Sequence, residues 1–183
     1  CLLTSTLVTS AVASGTVPLL ERLPQHWRDD QGRDTSIADF RGRWVVLTMA
    51  YTSCRLICPT TMARLQRLQR DLDSRGQFAE FVVIGFDPAS DDPQAWRQYR
   101  RSRGLLRSNW HFLTGTPTST ETLAGLLGFQ FWKYDEHVMH EPRFVVVDEH
   151  GALALQGGTQ PLELLPALID NPKYADRQSA RSE

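Results

Sequence analysis

Apolar and polar positions divide this chain into alternating runs. Trp44–Ala50 is continuous and apolar, the pattern of a strand buried on both faces. After a short polar interval, Met62, Leu65, Leu68 and Leu72 recur at helical spacing, with Gly76 as the stop. Phe78–Phe86 is a second continuous apolar run, predicting a second buried strand. Asp91 or Asp92 is placed to cap the next helix, with Pro93 in its first turn and Trp96 and Tyr99 on its inner side. Trp110–Leu113 predicts a short strand. Thr118-Ser-Thr-Glu121 reads as a capping box for a helix through Leu123, Leu126 and Leu127 that Gly128 ends. Phe129–Met139 is aromatic and without clear period, so it reads as irregular. Arg143–Val147 and Ala152–Gln156 form a hairpin across the turn Asp148–Gly151, and a helix over Pro161–Ile169 closes the pattern. Upstream, Trp27, the turn Asp29–Gly32 and Thr35–Ile37 predict a small N-terminal hairpin.

The order is therefore strand, helix, strand, helix, strand, helix, strand, strand, helix. It joins βαβ units to a terminal antiparallel hairpin, the outline of an α/β, thioredoxin-like fold with a central mixed sheet. One domain over residues 16–172 is expected of 183 residues with 41% hydrophobic content. There is no internal repeat. Residues 173–183 are polar and predict a disordered tail.

Charge narrows the partners. A net charge of −1 with dispersed Arg gives no nucleic-acid footprint. The cluster Arg97, Arg100, Arg101, Arg103 and Arg107 reads as the wet face and exit of one helix. Residues 1–15 are small and apolar, and Ala11-Val12-Ala13 matches a cleavage pattern, as in a truncated secretory signal. Other readings are a lipid-bearing Cys1 or a frayed tail, and the stretch falls short of the ~20 apolar residues of a bilayer span. Export is favoured, to the periplasm or the outer face of the inner membrane, with a membrane tether through the N-terminus.

The chemistry concentrates at Tyr51-Thr-Ser-Cys54-Arg-Leu-Ile-Cys58-Pro59, between the first buried strand and its helix. Pro59 suits a first helical position. A helix N-terminus stabilises a thiolate, so lowered pKa values are expected at Cys58 and at Cys54. Thiolates serve either redox exchange or soft-metal binding, and the spacing does not choose between them. Two buried, inert cysteines are the bland alternative. Asp87, at the carboxyl end of the second strand, reads first as a turn stabiliser before Pro88.

The cysteine segment, Phe86-Asp87-Pro88 with the Asp92-Pro93 helix start, and His140 eleven residues before the hairpin Gly151 form one pattern. In it the chain resembles the Sco/SenC proteins, copper-binding thioredoxin-like assembly factors for the copper A centre of cytochrome c oxidase. The resemblance covers residues 18 to 158. It implies that Cys54, Cys58 and His140 bind copper, as Cu(I) or Cu(II), and that the partner is the copper-bearing oxidase subunit or another copper chaperone. Two thiolates and an imidazole suit copper, whereas structural zinc takes four ligands and only the nearby His137 stands as a fourth. Pro142 departs from the family pattern. Thioredoxin-like oxidoreductases carry a cis-proline at the corresponding place, so an exported thiol-disulfide oxidoreductase using Cys54 and Cys58 is the alternative function. Four-residue rather than three-residue spacing of the cysteines favours the copper chaperone.

Overall fold

The computed structural model describes residues 17–54, 57–134, 137–157 and 162–171, of 57, 133, 134 and 137 the backbone alone. The leader reading of residues 1–15 and the tail reading of 173–183 lie outside the described residues. Among those described, no helix is long and apolar enough to cross a membrane.

A short helix α1 (Leu19–Arg22) leads into the hairpin of β1 (Trp27–Asp29) and β2 (Asp34–Thr35), followed by a 3-10 turn at Ile37–Phe40. The core alternation is β3 (Val45–Ala50), α2 (Ile57–Ser74), β4 (Glu80–Gly85), α3 (Pro93–Ser102), β5 (Trp110–Thr114) and α4 (Pro117–Leu127). Then come β6 (Phe131–Tyr134), β7 (His137–His140), β8 (Phe144–Val147) and β9 (Leu153–Gly157). A 3-10 turn at Leu162–Leu164 runs into α5 (Leu165–Ile169). Seven strands form one sheet in the order β2-β1-β5-β4-β3-β8-β9. Strands β3, β4 and β5 run parallel, while β8 lies antiparallel to β3 and β9 to β8. This is the expected thioredoxin-like mixed sheet with its N-terminal hairpin.

Every position of β3 and β4 is buried, which is why both read as unbroken apolar runs. Helix α2 covers them with Met62, Leu65, Leu68 and Leu72, all buried. Each contributes roughly 1.5–3 kcal/mol of hydrophobic burial. Gly76 ends the helix at φ 67°, where Gln77 N–H reaches back to the Leu72 carbonyl. On α3, Asp92 is the cap, its side chain accepting from Ala95 N–H at 2.7 Å. Trp96 and Tyr99 face inward as expected.

Four expectations are corrected. The cap of α4 is Thr116, which accepts from Ser119 N–H at 3.1 Å; Pro117 takes the first helical position, so Thr118 lies inside the helix. The C-terminal helix begins only at Leu165, after the 3-10 turn. The arginine cluster is only in part a wet face: Arg101 is exposed and Arg107 makes a surface pair with Asp73 at 2.5 Å, but Arg100 pairs with buried Asp30 at 2.8 Å and Arg103 lies over the Tyr99 ring. Most consequential, the aromatic stretch before Met139 is not irregular. It forms a separate two-stranded sheet, β6 antiparallel to β7, with Phe131 opposite His140 and Trp132 opposite Met139. Burial alternates along β7: Val138 inward, Met139 outward, His140 inward.

Candidate metal centre

Strand β3 ends at Ala50, and Tyr51–Cys54 turns the chain toward α2, with Cys54 N–H donating to the Tyr51 carbonyl at 3.1 Å. Helix α2 starts before Pro59, at Ile57, so Cys58 sits in its first turn. There Cys58 N–H, one of the donors that a helix start leaves without a partner in the helix, points at the Cys54 sulfur at 3.2 Å. Both cysteines are buried, and they are not joined in a disulfide.

His140 arrives from the end of β7, 82 positions after Cys58, with Nε2 3.5 Å from the Cys58 sulfur. Its Nδ1 lies 3.2 Å from the Glu141 carbonyl oxygen, which can only accept. That bond places the proton on Nδ1 and leaves the Nε2 lone pair facing the sulfurs. Phe86 packs on the imidazole with ring centroids 4.6 Å apart, and Phe131 packs on Phe86 at 5.0 Å. Tyr51 meets the imidazole edge-on at 5.8 Å. The donor atoms of Cys54, Cys58 and His140 all lie within 4.8 Å of one another, and all three residues are buried. Among the described residues no other Cys, His, Asp or Glu joins this group. His137 begins β7, but its side chain lies outside the described residues. His111 is engaged elsewhere, 2.8 Å from buried Glu80.

The expected thiol acidity is corrected in sign at Cys58. Its pKa is pushed up, first by the hydrogen bond with Cys54 and then by burial; a main-chain hydrogen bond from Tyr51 opposes this. Cys58 is 1% exposed, and the hydrogen bond with Cys54 together with the loss of hydration outweighs the helix terminus. Burial, then the Cys54 charge, likewise pushes the Tyr51 hydroxyl up to about 12. Without a metal, Cys58 therefore keeps its proton. Metal entry must displace it, which makes binding pH-dependent.

The Glu141–Pro142 bond is trans, as are all peptide bonds among the described residues. Pro142 therefore lacks the cis form that the sequence allowed. Asp87 holds the turn it was expected to hold, accepting from Ser90 Oγ at 3.0 Å.

The residue that sequence reasoning missed is Asp91. It is fully buried, accepts from both donors of Thr52, and burial pushes its pKa up to about 6. The available signal was the doubled Asp91-Asp92: one helix start needs one cap, and Asp92 supplies it.

A thioredoxin-like sheet with two thiols at its first strand-to-helix turn and an imidazole folded back on them defines a soft-donor metal-binding class. The SCO1/SenC family model matches residues 24–161, and the chain belongs to that family. A protein of Stutzerimonas stutzeri named for copper binding is 32% identical over 171 residues, covering 86% of this chain and 78% of its own. The SCO1/SenC family lipoprotein of Bacillus anthracis superposes with a TM-score of 0.74 at 21% identity, over 81% of this chain and 92% of its own. Yeast Sco1 with copper bound superposes at 0.69 and 21% identity, over 82% and 87%.

Proposed function

We propose that this chain is a copper metallochaperone that holds copper through Cys54, Cys58 and His140 and delivers it during maturation of the copper A site of cytochrome c oxidase. The observation that carries this reading is the convergence of three buried soft donors within 4.8 Å. With metal–ligand bonds of about 2.0–2.3 Å, three trigonal donors stand about 3.5–4 Å apart, so a small contraction closes the set. Two sulfurs and one imidazole suit Cu(I) and also hold Cu(II). The Nδ1 hydrogen bond presents Nε2 in the ligating tautomer, and Phe86, Phe131 and Tyr51 exclude water from the imidazole. Family membership and the copper-bound yeast neighbour support the same choice of metal. The lipoprotein neighbour supports an exported, membrane-tethered protein, and the partner proposed for it is the oxidase subunit that carries copper, or another chaperone.

Thiol-disulfide exchange needs a thiolate, and the raised pKa of Cys58 argues against an attacking thiolate there at neutral pH. Copper titration of the reduced protein under anaerobic conditions tests the main reading. One equivalent of Cu(I) should bind the native chain, and none should bind the Cys54→Ser/Cys58→Ser variant with comparable affinity. Equal binding by both, or reduction of model disulfides faster than free thiol without copper uptake, would overturn it.

A further inference from the structure

Asp91 has no part in starting α3, because Asp92 caps that helix. Its carboxyl is nonetheless fully inside the protein, where an ionisable group is costly unless its oxygens are satisfied. The satisfaction is specific. Oδ1 accepts from Thr52 N–H at 2.7 Å and from Thr52 Oγ at 2.9 Å, and Oδ2 accepts from Asp87 N–H at 3.0 Å. The Asp91 amide donates to the Asp87 carbonyl at 2.7 Å, and the Asp91 carbonyl accepts from Thr114 Oγ. One residue thereby ties together the carboxyl ends of β3, β4 and β5. The approach needs Gly85, since a Cβ there would stand 2.9 Å from Asp91 Cβ.

Thr52 lies just past the point where the β3 ladder stops, and two residues before Cys54. The last main-chain bond of that ladder runs from Phe86 N–H to the Ala50 carbonyl. Beyond it, the Asp91 carboxyl takes both donors of Thr52 and so fixes the direction in which the cysteine turn leaves the sheet. We propose that Asp91 is the positioning residue of the metal centre, clamping Thr52 so that the Cys54 sulfur faces Cys58 and His140. This rests on the copper reading for its metal-dependent half and on the metal-free protein for the rest.

The test compares the native chain with Asp91→Ala, Asp91→Asn and Thr52→Val. Asn keeps an oxygen for Thr52 but turns an amide toward Asp87 N–H, so it lowers stability while preserving the clamp. Asp91→Ala should weaken Cu(II) on the order of tenfold, the scale of lost outer partners at metal sites. It should also shift the Cu(II) EPR spectrum and the thiolate-to-copper absorption. Asp91→Asn should return both to near native values, and Thr52→Val should give a smaller shift in the same direction. In the metal-free proteins, hydrogen exchange at the Thr52 and Cys54 amides should accelerate in Asp91→Ala and not in Asp91→Asn. A folded Asp91→Ala with native copper spectrum and native exchange would overturn the proposal, as would Asp91→Asn matching Asp91→Ala in both. If Asp91→Ala does not fold, native spectrum and exchange in Thr52→Val overturn it. Failure of the native chain to bind copper would sink the copper reading, while the exchange contrast would still decide the clamp.

Discussion

The cysteine turn and the histidine hairpin build one centre from opposite kinds of structure. The turn is fastened on every side: β3 pairs with β4 and β8, α2 follows for eighteen residues, and Asp91 holds Thr52. The hairpin β6–β7 has four residues per strand and forms a sheet of its own. One face packs inward through Val138 and His140, while Trp132 at 53% and Met139 at 42% exposure face solvent. A lone two-stranded hairpin is marginal in water. What holds this one is the packing of Phe131 and His140 on Phe86. The two thiol donors thus sit between elements of the main sheet. The imidazole sits on a hairpin that joins the core through side-chain packing and pairs with no strand of that sheet among the described residues.

The largest expected effect breaks the comparison at its contact point. Phe86→Ala removes a buried ring and should cost about 3–5 kcal/mol of stability. Hydrogen exchange should then show β7 losing protection well before β3; equal loss in both strands would make the hairpin part of the core unit. A smaller effect belongs to the turn. Burial raises the pKa of Asp91 to about 6, above the ordinary carboxylate value of 3.8. The stability gained from this raised value is full below pH 4 and is lost as pH rises through 6. Relative to Asp91→Asn, the native chain should lose on the order of 3 kcal/mol between pH 4 and 7, measured by denaturant titration. A difference of opposite sign would mean that the Thr52 and Asp87 donors outweigh burial.

The smallest effect falls on the hairpin ligand. His140→Ala should weaken Cu(II) by 10- to 100-fold, about 1.4–2.7 kcal/mol, and Cu(I) less, because two thiolates suffice for the softer ion. Competition titrations with a chelator of each oxidation state check this. Equal losses for both ions would show that the hairpin is as integral to the site as the turn.

The turn was legible in the sequence because its signals are local: an unbroken apolar run, two cysteines, a proline and a helical repeat. His140 was reached through a family resemblance, since nothing near it in the chain announces Cys58. The strands that carry it stayed hidden because Asp135-Glu136, between them, lacks the Gly or Asn that marks a tight hairpin, and the aromatic residues masked the alternation. Asp91 was invisible for a related reason. Its partner Thr52 is 39 positions away, and only the fold shows that the carboxyl turns inward. The sign of the Cys58 shift was misjudged because helix position can be read along a chain, whereas the hydrogen bond with Cys54 and the desolvation cannot.

That the hairpin stands apart from the main sheet bears on residence time. A bound ion would have an imidazole ligand backed by Phe86 and Tyr51, on a hairpin that pairs with no strand of the main sheet among the described residues. Release of the ion is then expected to depend on the seating of the hairpin as well as on the bonds to sulfur. The turn and the hairpin then both contribute to affinity, while the hairpin also bears on lifetime.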